Sequence, residues 1–373
     1  MVEGNRDEQN PAEQNPAEKH VPVMLRRCVE LLTPGIEAVA DQGRTPVVVD
    51  ATLGMGGHTE AILESDDDVV VVGLDRDPEA LRLAARRLSG YADRLHPVRT
   101  VFDHLGEVLD RQLEEIARTG GRPVGLAGVL FDLGVSSLQL DEADRGFAYS
   151  YDAPLDMRMD GSADSEDETA AELLARADEA ELRRILTEYG EERFARRIAS
   201  RIVAARADGP LTGTAELAAL VDSAVPASKK RTGGHPAKRT FQALRIAVNR
   251  ELEVLAAAIP EAMDRIDLGG RLVVLSYHSL EDRIVKRAVT ARTTSSAPAG
   301  LPVELEEHRP TYRAVTRGAE TPDPQESGSN PRASSAKLRA AERIRDDRTG
   351  RRRTTSDTGA QRPDGTVGRR RSV

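Results

Sequence analysis

Val47-Val-Val-Asp-Ala-Thr-Leu-Gly-Met-Gly-Gly-His-Thr59 is the stretch on which the reading of the whole chain turns. The β-branched run Val47 to Val49 predicts a buried strand, and Gly54, Gly56 and Gly57 end it in a sharp turn. From Thr59 onward Glu60, Ala61, Ile62, Leu63 and Glu64 suit a helix. Strand, glycine-rich loop and helix in that order bring backbone N–H groups close to a bound nucleotide. The next strand-like run, Val69 to Leu74, ends in Asp75, placed where a carboxylate accepts hydrogen bonds from both hydroxyls of a ribose. Loop and carboxylate together predict a cofactor that contains a nucleoside. The plainer alternative is a glycine turn that only reverses the chain.

A missing residue narrows the choice of cofactor. Counted from Gly54, the sixth position of a G-x-G-x-x-G dinucleotide fingerprint is Thr59, so pyrophosphate binding, and with it a nicotinamide dehydrogenase, is disfavoured. Asp50, just before the loop, would repel a diphosphate but suits a cofactor carrying an ammonium and a sulfonium. The expected cofactor is therefore S-adenosylmethionine, with no metal.

Of the 373 residues 39% are hydrophobic and 31% charged, and no apolar run approaches the ~20 residues of a membrane span. A soluble protein with no membrane partner is expected. Residues 1–20 are polar, carry tandem Glu-Gln-Asn-Pro-Ala repeats at 8–12 and 13–17, and read as a disordered extension. The single cysteine, Cys28, excludes an internal disulfide and fits a reducing, cytoplasmic setting. A net charge of −9 argues against a surface that grips nucleic acid everywhere, yet the charge is uneven. Lys229, Lys230, Arg231, Lys238, Arg239, Arg245 and Arg250 follow one another with no acid between them, and Arg351 to Arg353 and Arg369 to Arg371 punctuate a polar tail. Each stretch either meets phosphate or is a solvated run of charge.

A short helix with Leu25, Cys28, Val29 and Leu32 on one face precedes the first strand. After Asp75, Asp77-Pro78 reads as an N-cap followed by proline at the first helical position, which leaves Asp75 for the ribose. Leu95 to Val101 is a third strand, and Phe102 at its carboxyl end either stacks on an adenine or packs in the core. A fourth strand, Leu126 to Asp132, opens into a polar loop where α/β sheets place their chemistry. Phe147, Tyr149 and Tyr151, with Arg145 and Arg158 nearby, make either a clamp for an unstacked base or a packed loop. From Thr169 the period is helical until Leu272 to Leu275 resumes the sheet. Ser279 and Asp282 look like a capping box, leaving Tyr277 and His278 without a capping role. Tyr312 to Arg317 reads as a closing strand and 336–344 as a short helix.

The predicted fold is thus α/β: a Rossmann-like domain over 21–140 and 241–320, interrupted by an all-helical domain over 141–240. A mostly disordered basic tail covers 321–373.

Several blocks in one order carry a resemblance: His20-Val-Pro-Val-Met24, Asp50-Ala-Thr-Leu-Gly-Met-Gly-Gly-His-Thr59, Phe131-Asp-Leu-Gly-Val-Ser-Ser137, Arg145-Gly-Phe147, Pro154-Leu-Asp-Met-Arg-Met-Asp160, Tyr189-Gly-Glu-Glu-Arg-Phe194, His235 to Arg245 and Ser276 to Lys286. Together they resemble the bacterial 16S rRNA cytosine-N4 methyltransferase family, the MraW or RsmH type, from about His20 to Ile344. The resemblance implies methylation of N4 of a cytidine in the decoding region of 16S rRNA, free or within the small ribosomal subunit, by a monomer or homodimer. It also implies that the Rossmann-like domain is of the class I S-adenosylmethionine-dependent methyltransferase type, with cofactor contacts at Gly56, Gly57, His58, Asp75, Phe102, Asp132 and Gln139.

The N4 lone pair of cytosine is delocalised into its ring, so methyl transfer needs acceptors that hold the amine hydrogens and let the nitrogen pyramidalise. Many amino methyltransferases place an Asp or Asn before Pro-Pro-aromatic at this strand end, whereas this chain reads Asp132-Leu-Gly-Val. Asp132, or a backbone carbonyl just after it, is the expected acceptor, with His278 as the alternative. Arg145, Phe147, Tyr149, Tyr151, Arg158, Lys229, Lys230, Arg231, Lys238 and Arg239 are the expected RNA contacts. The competing readings are an amino methyltransferase of DNA or another RNA, and an RNA-binding protein without catalysis.

Overall fold

In the computed structural model, residues 22–162, 165–226, 235–298 and 304–346 are described. Strands β1 (Thr45–Asp50), β2 (Val70–Asp75), β3 (Leu95–Arg99), β4 (Val124–Asp132), β5 (Arg271–Ser276), β6 (Tyr312–Ala314) and β7 (Lys337–Arg343) form one sheet in the order β3-β2-β1-β4-β5-β7-β6. The first five run parallel; β7 enters antiparallel between β5 and β6. The five parallel strands make a doubly wound, Rossmann-like sheet that carries one reversed strand.

Strand alternation divides the core. Val47, Val49, Val72, Leu74, Val129, Phe131, Leu272 and Val274 face one layer, while Val48, Val71, Leu130, Val273, Leu275 and Leu338 face the other. Helices α1 (Leu25–Ala40) and α2 (Gly57–Ser65) cover the second layer. Helix α1 continues through Pro34 instead of stopping before it. Next come α3 (Pro78–Arg87) and α4 (Leu105–Gly120); Asp77 caps α3 by accepting from the Glu79 N–H at 3.0 Å.

Between β4 and β5 lie α5 (Ser137–Asp141), α6 (Ala170–Arg176), α7 (Glu179–Glu188), α8 (Ala195–Ala205), α9 (Thr214–Ala224), α10 (Ala237–Asn249) and α11 (Glu251–Arg265). The buried faces of α6 to α10 share a core that contains Leu173, Ile185, Ile198, Leu217 and Phe241. The boundary expected at 241 falls inside α10, whose Phe241, Ala243 and Leu244 belong to that core. The chain returns to the sheet at Arg250, left-handed at φ 52°, from which α11 packs Leu255, Ile259 and Met263 against the strands. Helices α12 (Ser279–Thr293) and α13 (Pro324–Ser329) complete the set. Among the described residues no helix is long and apolar enough to cross a membrane.

One element contradicts the sequence expectation. The segment 336–344, read as a short helix in a disordered tail, is strand β7. Lys-Leu-Arg-Ala-Ala-Glu-Arg is rich in helix formers, but propensity yields to two ladders, with Arg271–Ser276 on one side and Tyr312–Ala314 on the other. Burial of Leu338 and Ala340 on one face and Ala341 on the other completes the reversal. Residues 1–21, 227–234 and 347–373, including the repeat, Lys229, Lys230, Arg231 and the arginine-rich tail, lie outside the described residues.

The two ends of the described chain meet over the glycine loop. The Met24 N–H donates to Glu326 Oε1 at 2.6 Å, and Arg27 pairs with Glu320 at 2.8 Å.

Candidate functional site

Carboxyl ends of β1, β2 and β4 and the turn after β3 open into one cavity of about 630 Å³. Asp75, Phe102 and Asp132 all line it, with Gly57, His58 and Gln139. The loop between β1 and α2 is organised from below. Asp50, 1% exposed, accepts from the Thr52 N–H at 3.1 Å and the Thr59 hydroxyl at 2.7 Å. It is therefore a brace for the loop, not the cofactor-facing charge the sequence suggested. Gly56, at φ 79°, likewise turns away: a Cβ there would stand 2.9 Å from Leu88, so its glycine is required by the turn and the packing. At Gly57 a Cβ would meet Pro22 at 2.4 Å, because the N-terminal segment lies directly on the loop.

Asp75 accepts the Gly54 N–H on one oxygen and the Asp77 N–H on the other, at 2.8 and 2.9 Å. Each oxygen keeps further acceptor capacity for a diol. Burial pushes its pKa up to about 6, against the two N–H bonds, which pull it down. Phe102 packs edge-on against Phe131 with ring centroids 5.8 Å apart, the core-packing alternative, and it also lines the cavity.

Asp132 is the most heavily framed group. The Tyr277 hydroxyl donates to its Oδ1 at 2.6 Å, its own N–H donates to the Thr52 hydroxyl at 2.7 Å, and His58 Nδ1 stands 3.5 Å from Oδ2. His58 Nε2 lies 3.1 Å from the Val23 carbonyl, and since a carbonyl only accepts, that nitrogen carries a hydrogen; Nδ1 is the ring nitrogen nearer the carboxylate. Burial raises the Asp132 pKa, with His58 and Tyr277 opposing. Burial and Asp132 push the Tyr277 phenol far up, so it stays protonated and donates. Gly134, at φ 94°, carries the loop across the Tyr277 ring.

Several expected residues have other work. His278 is the N-cap of α12, with Glu281 reaching back to its N–H at 3.2 Å, so the capping box begins one residue before Ser279. Ser279 instead donates to Glu191 at 2.9 Å. Gln139 lines the cavity but its amide oxygen accepts the Ser136 N–H in the capping box of α5. The base clamp is a packed loop. Phe147 is 7% exposed in the helical core, and Tyr149 stacks on His235 at 4.5 Å and meets Phe241 edge-on. Tyr151 donates to the Leu140 carbonyl at 3.0 Å. Arg145 pairs with Asp77 at 2.8 Å and donates to the Met159 carbonyl, tying the insertion to the N-terminus of α3, and Arg158 is held by Asp156 at 2.7 Å. These arginines serve the fold because buried carboxylate and carbonyl partners already use their donors. Lys238 and Arg239 remain exposed at the start of α10, and Lys238 lines the cavity.

The sequence reading missed Asn249 and the segment Pro331–Ser335. Asn249, 5% exposed, donates to the Met157 and Arg245 carbonyls and accepts from the Met159 N–H and Arg76, joining insertion and sheet at the cavity wall. Its position opposite Arg250 at a helix end was the only signal. Pro331, Arg332, Ser334 and Ser335 close the rim beside Tyr277, which no local pattern announces.

The sequence model of the MraW methylase family matches residues 17–344. The chain is similar to a protein of Pseudarthrobacter chlorophenolicus named ribosomal RNA small subunit methyltransferase H, 55% identical over 88% of this chain and 96% of that one. A protein of the same name from Renibacterium salmoninarum is 55% identical over 89% of this chain and 96% of its own length. One from Clavibacter sepedonicus is 56% identical over 87% and 97%.

Proposed function

This chain belongs to the MraW methylase family, and from that premise we propose that it methylates N4 of a cytidine in small-subunit ribosomal RNA, with S-adenosylmethionine as donor. The observation that carries the reading is the gathering of Asp75, Phe102 and Asp132, from three strand ends, around one cavity. Its volume of about 630 Å³ suits a cofactor of this size. Asp75, with acceptor capacity left on both oxygens, would hold the ribose, and Phe102 would lie against the adenine. Gly57 and His58 belong to the loop that would border the amino-acid end.

When bound, S-adenosylmethionine supplies an electrophilic methyl group on a sulfonium. Asp132 accepts a hydrogen of the target amine, so the nitrogen pyramidalises and its lone pair is freed. The carboxylate is a stronger base than an exposed one because burial raises its pKa. Tyr277 fixes its orientation by donating to Oδ1, and takes no proton itself since it remains a phenol. The rest is alignment of nitrogen and methyl in a cavity whose walls come from sheet, insertion and C-terminal segment.

Purified protein incubated with S-adenosylmethionine and unmodified small subunits should add one methyl to one cytidine, read by mass spectrometry of nuclease fragments. The Asp132→Ala variant should lose about 100-fold or more in kcat. Fragments of unchanged mass with the wild-type protein would overturn the assignment.

A further inference from the structure

A second concavity, of about 490 Å³, lies on the helical insertion away from the site just described. It is lined by Arg193, Arg196, Arg197 and Arg201, with Ser200, Phe194 and Glu179. Arg196, Arg197 and Arg201 lie on the exposed face of α8, with Arg193 in the turn just before it, while Ile198, Ala199 and Ile202 face its core.

What sets the strip apart is the clustering of four arginines around one concavity with a single carboxylate among them. In a chain of net charge −9, many exposed arginines meet carboxylates: Arg176 sits between Glu168 and Glu181, Arg184 pairs with Glu188 and Arg250 with Glu253. Among the described residues Arg193, Arg196 and Arg197 make no ion pair, and Arg201 donates only to the Ser223 hydroxyl. Arg197 and Arg201, four residues apart on α8, repel each other, which disfavours the isolated helix. Four arginines against one carboxylate, in a concave strip with an aromatic edge, match the spaced phosphates of a nucleic-acid strand. The strip is also linked to the catalytic cavity by hydrogen bonds. Gln242, which lines that cavity, donates to the Tyr189 carbonyl at 3.0 Å, and Glu191 accepts from Ser279 and Arg283 of α12. The turn between these anchors runs straight into Arg193.

We propose that the α8 arginine strip is a second RNA-docking surface, holding the sugar–phosphate backbone of the substrate rRNA away from the target nucleotide. This rests on the rRNA reading above, and the two fail differently. The experiment compares the full-length wild-type protein with an Arg193→Gln, Arg196→Gln, Arg197→Gln triple variant. Binding to unmodified small subunits and to a short hairpin that carries only the target loop is measured across salt concentrations, without turnover. The variant should bind subunits at least tenfold more weakly, with a salt slope reduced by roughly two, while hairpin binding and cofactor affinity stay unchanged. An unchanged subunit affinity and slope would overturn the strip, as would an equal loss on the hairpin. Failure of the wild type to methylate either RNA would overturn the functional reading alone, since the binding comparison needs no chemistry.

Discussion

At the scale of single residues, Asp75 carries a consequence for pH. Its folded pKa stands near 6, above the ordinary 3.8, so the protonated carboxyl is the form the empty site favours. This contribution to stability is present below 3.8 and is lost as pH rises through about 6. Ribose hydroxyls need the ionised form, which prevails above that value. Cofactor affinity should be flat above about pH 7 and fall toward tenfold per unit below about pH 5, as titration calorimetry would record. An Asp75→Asn variant should bind more weakly and lose the pH step; a wild-type affinity constant from pH 5 to 8 would refute this. Asp75 and Asp132 were legible in the sequence because strand ends in α/β sheets are where ligands sit. The Tyr277–Asp132 bond was not, since it joins residues 145 positions apart. Arg145 and Phe147 were misread for a related reason: an arginine beside aromatics looks alike whether its partner is a base or a buried carboxylate.

Among elements, the strands declared themselves through β-branched runs and the helices through their period. Strand β7 did not, because its pairing partners Arg271–Ser276 and Tyr312–Ala314 lie far from it in sequence. The helical insertion gives a test of the correction to the aromatic segment. Phe147 packs with Leu155, Leu174 and Leu244 in one core. Phe147→Ala should therefore cost about 3–5 kcal/mol in urea unfolding, with RNA affinity per folded molecule retained. Loss of RNA binding at unchanged stability would restore the clamp.

Across the whole molecule, the sheet depends on its late segment. Without β7 the edge of β5 is bare and β6 has no partner, so a chain ending at Ser335 should aggregate and lose its cooperative melt, visible in size exclusion and circular dichroism. A folded monomer of that length would contradict the topology. The overall division into sheet and helical insertion was legible because the hydrophobic period switches near Thr169 and back near Leu272; the joint at Arg250 was not, since α10 and α11 read as one helical run. The contact between Met24 and Glu326 also orders events in time. A nascent chain exposes its glycine loop early, yet the rim that completes the pocket, Pro331 to Ser335, emerges about 275 residues later. Growing polypeptides on the ribosome consequently have the loop in hand long before they have an enclosed place for the methyl donor.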